Sequence, residues 1–161
     1  MSNETEIRDR FWKELKSERT LMLGIDGEPG GGMRPMTALI EEEDGGPLWI
    51  FTSNESDLVR AIGGGKPAHA TFTGKKHDLF ANIVGQLSLD NDRAVIDRLW
   101  NPWVAAWFEA GKDDPKLALL RFDAEQAKIW LNATSIGAAI EWLFRRDPRE
   151  IYKSKVAEVA L

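Results

Sequence analysis

The spacing of apolar residues along the chain predicts one helix followed by a series of strands. Residues 4–18 carry large apolar side chains at intervals of three and four with charged residues between them, which is the pattern of an amphipathic helix. After this helix the pattern changes to short apolar or alternating segments separated by polar turns, which is typical of strands. The predicted strands span residues 20–26, 33–43, 47–53, 66–74, 79–89, 117–122 and 126–131.

Short helices interrupt the strands, and a longer one is predicted near the C-terminus. Each has a residue suited to capping at its start, and glycines follow several of the ends. The predicted segments are residues 55–62 with Asn54 or Ser56 as cap, residues 90–100 opened by Asp90 or Asp92, residues 102–110 with Asn101 as cap, and a last helix that begins at Thr134 or Ser135.

The order of these elements favours an antiparallel sheet. Most predicted strands follow one another through short turns, whereas parallel strands need long crossover connections. A sheet of about six antiparallel strands tends to close into a small barrel, because closure removes its exposed edges. We therefore expect a mainly β protein with flanking helices, of the α+β class. It should form a single domain over residues 1–161, with a C-terminal helix and tail at residues 134–161.

Composition narrows the classes of function. The 161 residues carry a net charge of −5, which argues against nucleic acid or an anionic membrane as the main partner, because both require a basic surface. The chain has no cysteine and two histidines, so cysteine chemistry is excluded and no metal site is expected. Residues 1–16 are charged throughout and lack the apolar segment of a signal peptide, so a cytoplasmic location is expected.

Residues 33–56 contain the most suggestive chemistry. Arg34 lies at the start of one predicted strand, and Thr52 and Ser53 lie at the end of the next. A guanidinium and hydroxyls at the ends of apolar strands suit a ligand with a flat ring and a phosphate tail. The alternative is a buried hairpin with polar ends, which the pattern alone favours.

A series of short motifs in chain order resembles a known family. The chain is similar to the general stress protein 26 branch of the pyridoxamine 5′-phosphate oxidase-like superfamily, over about residues 5–131. No single motif is specific for this family, but the occurrence of all of them in this order is. The motifs are Arg34-Pro35-Met36, residues 48–52, Ser56, Gly85, residues 99–102, Trp107-Phe108, residues 113–115 and Trp130.

The resemblance implies a six-stranded split β-barrel that forms a homodimer, with flavin mononucleotide (FMN) bound in two clefts at the interface. Family members hold the flavin with the strand that carries the Arg-Pro-Met motif and with the strand that ends in Phe-Thr. A further segment near the flavin ring comes from the other subunit. Carried over to matching positions, the candidate contacts are Arg34, Met36, Thr37, Phe51, Thr52 and Ser56, with Trp100, Trp103 and Trp107 in the segment from the other subunit.

Several of these candidates have a plainer structural explanation. Arg34 is also suited to a surface ion pair, and Thr52 or Ser53 to capping the next helix. Trp103 and Trp107 are spaced i, i+4, which is typical of residues that pack on one face of a helix. The seven tryptophans of the chain therefore fill a core or an interface, stack on a planar ligand, or do both.

One position departs from the family pattern. Members usually carry a lysine two residues after the serine that corresponds to Ser56, where it meets the flavin phosphate. Here Ser56 is followed by Asp57 and Leu58, so the expected cation is missing and a carboxylate lies nearby. Three other cations are candidates to replace it: Arg60, one helical turn beyond Ser56, and Lys75 and Lys76 in a basic turn.

The resemblance leaves the function of the flavin open. A flavin-dependent oxidoreductase of unknown substrate, acting in a stress response, needs no side-chain nucleophile, which suits a chain without cysteine. The alternatives are a flavin-binding protein or sensor without turnover, or a structural dimer with a degenerate flavin site. Pyridoxamine 5′-phosphate oxidase activity itself is not expected, because the basic substrate-binding tail of that enzyme is not recognisable in residues 133–161. No catalytic residue is assigned.

Overall fold

Antiparallel strands form most of the regular structure in the computed structural model, which describes residues 2–43, 45–132 and 156–161. The strands of this part of the chain are β1 (Thr20–Gly24), β2 (Arg34–Thr37), β3 (Leu39–Ile40), β4 (Leu48–Ser53), β5 (Lys66–Thr73), β6 (Leu79–Leu89), β7 (Leu117–Leu131) and β8 (Val156–Ala160). The helices are α1 (Ser2–Glu18), α2 (Asp57–Ile62), α3 (Arg93–Leu99) and α4 (Pro102–Ala105), and a 3-10 turn spans Gly111–Asp113.

The strands pair in the order β2-β1-β5-β6-β7-β4-β3, and each pairing is antiparallel. The strands at the two ends of this order, β2 and β3, are consecutive in the chain and are separated only by Ala38. The sheet must therefore curve until its two ends meet, which produces a barrel. Because β2 has no ladder with β4, the barrel has an opening between these two strands. The predicted mainly β, antiparallel split barrel is confirmed.

The described residues contain eight strands, whereas the sequence pattern predicted seven strand segments and the resemblance implied a six-stranded barrel. The predicted strand at residues 33–43 is divided at Ala38, whose N–H donates to the Arg19 carbonyl, 2.7 Å away, instead of joining a ladder. Residues 117–122 and 126–131, predicted as two strands, form the single strand β7. The eighth strand, β8, pairs with residues 126–130 of β7, beyond the part of β7 that pairs with β4.

Side-chain caps begin the helices where the sequence predicted them. Ser56, Asp92 and Asn101 each accept a hydrogen bond from a backbone N–H in the first turn of the helix that follows. α4 ends at Ala105, earlier than predicted, because the hydrogen bonds beyond it are of the tighter i→i−3 type, such as Trp107 N–H to Val104. The helix predicted to begin at Thr134 or Ser135 lies outside the described residues.

Two apolar clusters make up the core of the described residues. The larger one fills the barrel and includes one face of α1, the buried side of α2 and β8. Phe11 of α1, for example, packs edge-to-face on Phe72 of β5 with ring centroids 6.2 Å apart. The smaller cluster lies under α3 and α4, where Val95 and Val104 pack near Trp49 of β4. This second cluster holds α4 beside the opening of the barrel.

Candidate functional site: a groove at the barrel opening

A groove of about 780 Å³ lies at the opening between β2 and β4. Strands β2 to β4 supply one side, the junction of α1 and β1 adds two residues, and the segment around α4 supplies a wall. The residues that line it are Arg19, Thr20, Pro35, Met36, Thr37, Leu39, Phe51, Thr52, Ser53, Asn101, Trp103, Val104, Trp107 and Phe108. We refer to this set of residues as the groove.

Most of the residues that the resemblance proposed as cofactor contacts lie in the groove. They are Met36, Thr37, Phe51, Thr52, Trp103 and Trp107. Trp103 and Trp107 thus line a groove of their own chain, whereas the resemblance placed them in the segment that comes from the other subunit. The two tryptophans are the most exposed large apolar side chains of the described residues, at 70% for Trp103 and 75% for Trp107. Their i, i+4 spacing therefore does not pack them into the core, and both indoles are available to a ligand or to a partner.

Trp100 does not line the groove but supports its wall. Its ring packs edge-to-face on Phe51, with centroids 6.0 Å apart, and lies tilted against Phe108 at 6.2 Å. Both partners are groove residues, so Trp100 holds the aromatic wall in place from behind. Its assignment as a direct cofactor contact stays a prediction.

Arg34 also lies outside the groove lining. Its guanidinium turns onto the preceding loop, where Nη2 donates to the Gly30 carbonyl and Nε donates to the Gly32 carbonyl at 3.2 Å. The β1–β2 register sets Arg34 opposite Leu23, at the end of β2 remote from Thr37. A phosphate bound by Arg34 would therefore lie at that end of the opening.

Ser56 and its neighbours do not form an evident phosphate site. The Ser56 hydroxyl accepts from the Val59 N–H at 3.2 Å as the cap of α2. Leu58 is fully buried in the barrel core, and the side chain of Asp57 is 71% exposed. Arg60 forms a loose pair with Asp57 at 3.8 Å. The proposed replacement cations, Arg60 and the exposed lysines at 75 and 76, lie outside the groove lining.

The groove also contains residues that were not among the candidate cofactor contacts. Among the described residues that line it, Arg19 is the one with a charged side chain. Thr20 and Asn101 also line it, although the Asn101 side chain is already used to cap α4, accepting from the Val104 N–H at 2.9 Å. The one sequence signal for Arg19 is its place at a helix–strand junction, which by itself indicates only a turn.

The groove has the chemistry that a planar heteroaromatic ligand requires. Its walls carry flat or apolar side chains, and the hydroxyls of Thr20, Thr37 and Thr52 have no hydrogen bond within the described part of the chain. Free hydroxyls beside aromatic surfaces suit a ring with carbonyl and N–H groups on its edge. The residues present thus fit the ring of the flavin that the resemblance implies. The candidate for its phosphate is Arg34, whose guanidinium is held by the carbonyls of its own loop.

Other classes of site find no support in the described residues. No group of histidine, aspartate and glutamate side chains in that part of the chain is placed to hold a metal ion. No helix in the described part of the chain has both the length and the apolar character needed to cross a bilayer.

The fold and the groove together define a split β-barrel protein with a ligand groove at its opening. The chain belongs to the pyridoxamine 5′-phosphate oxidase-like family, whose sequence model matches residues 6–146. The predicted resemblance to the general stress protein 26 branch is also confirmed. Over 52 residues the chain is 29% identical to general stress protein 26 of Bacillus subtilis (strain 168), a match that spans 32% of this chain and only 36% of that protein.

Two solved structures resemble the chain over most of its length. The general stress FMN/FAD binding protein of Xanthomonas citri is 56% identical, with a TM-score of 0.77, and the match covers 81% of this chain and 92% of that one. A general stress family protein of Xanthomonas campestris pv. campestris is 58% identical, with a TM-score of 0.79, and the match covers 84% and 93%.

Proposed function

We propose that this protein is an FMN-binding homodimer of the cytoplasm and that it acts as a flavin-dependent oxidoreductase in a stress response. The observation that carries the proposal is the groove, in which free hydroxyls and two exposed indoles face the space between β2 and β4. The similarity to a protein described as FMN/FAD binding, at 56% identity, supports flavin as the ligand. A flavin supplies the electron transfer, so the protein has to bind and orient it.

The chain's own residues have distinct parts in this proposal. The wall of Phe51, Trp103 and Trp107 covers the faces of the ring and excludes water from it. The hydroxyls of Thr37 and Thr52 meet its polar edge. Arg34, at the far end of β2, forks onto the phosphate after leaving the carbonyls of its own loop.

The exposed apolar surface supports a dimer. Trp103 and Trp107 are largely exposed, and Met22 and Val84 project from the outer face of the sheet with 38% and 47% of their surface accessible. Exposed apolar side chains of this size often mark interfaces. In a dimer the second subunit would cover the groove and complete the site.

The second candidate function is a flavin protein without turnover, or a structural dimer whose flavin site has degenerated. The specific observation behind it is the phosphate end of the site, where Leu58 is buried and Asp57 introduces negative charge. Losing a charge-assisted contact weakens binding about ten- to a hundredfold.

The first experiment is the visible absorption spectrum of the purified protein, before and after FMN is added and excess is removed by desalting. We expect flavin bands that stay with the protein. A colourless protein that retains no added FMN would contradict flavin binding and leave the structural dimer.

A second experiment separates turnover from binding alone. Bound flavin that is bleached by NADH or NADPH under nitrogen, and recovers its colour with an electron acceptor, would support the oxidoreductase. Bound flavin that stays oxidised with both donors would favour the non-catalytic protein.

A further inference from the structure

Arg19 is a cation in the groove that neither the resemblance nor the family motifs assign. Its side chain makes one long contact, from Nε to the Lys16 carbonyl at 3.4 Å. Within the described residues it has no carboxylate partner, although acidic residues outnumber basic ones in the chain by 26 to 21. An unpaired guanidinium beside aromatic walls is placed to bind a ligand.

The backbone of Arg19 is held in an unusual conformation. Its φ is 66°, in the left-handed region that non-glycine residues rarely adopt. Two hydrogen bonds hold it there: its N–H donates to the Leu15 carbonyl at 2.8 Å, and its carbonyl accepts from the Ala38 N–H at 2.7 Å. This is the common left-handed ending of a helix, a position that glycine usually occupies and that an arginine occupies here directly after α1. These bonds fix the root of the side chain at the point where β2 ends.

Strand register sets Arg19 and Arg34 at opposite ends of β2. Thr20 pairs with Thr37, and Leu23 pairs with Arg34. Arg19 bonds to the residue after Thr37, so the two arginines are four residue steps apart along the strand, roughly 13 Å. A ligand that spans the opening would therefore meet one cation at each end.

The Arg19 end is also the end with the flat apolar walls. Leu39 pairs with Trp49, and continuing this register brings Phe51 level with Thr37. Phe51 and Leu39 both line the groove, while Ser56 and α2 lie toward the Arg34 end. The ring of a flavin thus fits the Arg19 end, and its phosphate fits the Arg34 end.

We infer that Arg19 binds the pyrimidine edge of the flavin ring, an inference that rests on the proposed function. The guanidinium donates to the N1 and C2-carbonyl acceptors of that edge. It also stabilises the negative charge that this edge carries when the flavin is reduced, so it raises the reduction potential of the bound flavin.

The test compares two flavins, because riboflavin has the ring without the phosphate. The variant is Arg19→Gly, since glycine accepts the positive φ and the folded state should be at least as stable. Arg34→Ala serves as the phosphate-end variant. Arg8→Ala removes an exposed arginine of α1 outside the groove and serves as the matched control. Dissociation constants come from flavin fluorescence titrations, and thermal unfolding reports stability.

We expect Arg19→Gly to weaken the binding of riboflavin and of FMN equally, by about ten- to a hundredfold. Arg34→Ala should weaken the binding of FMN alone, and Arg8→Ala should change the affinity for neither flavin. The reduction potential of bound FMN should fall in Arg19→Gly and stay unchanged in Arg8→Ala. A merely structural role for Arg19 would lower the melting temperature and leave the potential unchanged.

Each other result overturns the inference in a distinguishable way. Loss of FMN affinity alone in Arg19→Gly would make Arg19 a phosphate contact. Unchanged affinity for both flavins would show that it does not touch the ligand. A wild-type chain that binds neither flavin would overturn the proposed function itself, and this inference with it.

Discussion

Gly85 lies where β6 meets an irregularity in β7, and the space beside it admits no side chain. The register shifts between Val84 and Gly85, so that Glu125 is an extra residue on β7. A Cβ at position 85 would lie 2.1 Å from the Asp123 carbonyl oxygen and 2.9 Å from the Ala124 Cα, both backbone atoms. The bulge joins the two halves of β7 that the sequence pattern separates into two strands.

We therefore predict that Gly85→Ala lowers the free energy of unfolding by about 2 kcal/mol or more, because backbone atoms cannot move aside cheaply. Urea denaturation measures the change. Gly64→Ala is the matched control, since nothing lies within 4 Å of a Cβ there and its φ is not positive. Similar stability of the two variants would show that β7 relaxes around position 85.

A lysine at position 58 and a lysine at position 57 should have different effects on the stability of the protein. Leu58 is fully buried, so Leu58→Lys places an unpaired charge in the core and should destabilise the protein by about 3 kcal/mol or more. Asp57 is 71% exposed, so Asp57→Lys adds a cation at the Arg34 end of the opening with little loss of stability.

The corresponding measurements are urea denaturation and titration with the two flavins. Asp57→Lys should tighten the binding of FMN severalfold and leave the affinity for riboflavin unchanged, because only FMN has a phosphate. Equal tightening of both flavins would contradict a phosphate at that end. A Leu58→Lys variant as stable as the wild type would mean that the lysine side chain can leave the core.

At the scale of elements, α1 is tied to the turn between β5 and β6 by charged groups. Arg10 Nη2 contacts Asp78 Oδ2 at 2.8 Å, and Arg10 Nε lies 3.5 Å from Glu14 Oε2. Burial raises the pKa of Glu14, Arg10 opposes that shift, and the nearby Asp78 carboxylate reinforces it. One oxygen of Glu14 and one of Asp78 are buried without a hydrogen-bond partner among the described residues.

This arrangement predicts how stability depends on pH. The folded state holds the Glu14 proton more tightly than the unfolded state, whose pKa is near 4.5. The Glu14 contribution is therefore fully present below pH 4.5 and is lost as the pH rises through the raised pKa of the folded state. Glu14→Gln should gain stability relative to the wild type across that window.

Urea denaturation at several pH values between about 4 and 7 measures this difference. Glu6→Gln, which changes an exposed acid on the same helix, is the matched control. The raised pKa of Glu14 would be contradicted if the free energies of unfolding of Glu14→Gln and the wild type differed by the same amount at every pH.

At the scale of the whole molecule, the prediction concerns assembly. Light scattering at micromolar concentration should give the mass of two chains. The double change of Trp103 and Trp107 to alanine should shift the protein toward the monomer and weaken flavin binding, since both indoles are exposed and line the groove. A wild-type protein that stays monomeric would remove the basis for a site shared by two subunits.

The accuracy of the sequence predictions follows the range of the interactions involved. The caps Asp92 and Asn101 were predictable because the cap and the N–H that it accepts from lie within three residues of each other. The strand β8 was not predictable, because it pairs with the part of β7 that extends beyond β4, and the sequence pattern does not show which part that is. Six of the candidate contacts carried over from the resemblance line the groove, but the place of Arg19 depends on a hydrogen bond from Ala38 at the end of the neighbouring strand.

The sequence by itself determined the alternating strands, the capped helices, the absence of cysteine chemistry and the family. These properties depend on residue identity and on spacing within a few positions. Only the tertiary structure decided that β2 and β3 separate at Ala38 and that Leu58 is buried. It also decided that Arg34 turns onto its own loop and that Arg19 lines the groove. The division at Ala38 and the burial of Leu58 depend on hydrogen-bond and packing partners that are far apart in the chain and that the fold brings together. The contacts of Arg34 are local, but the pattern of apolar and polar residues does not specify which way its side chain turns.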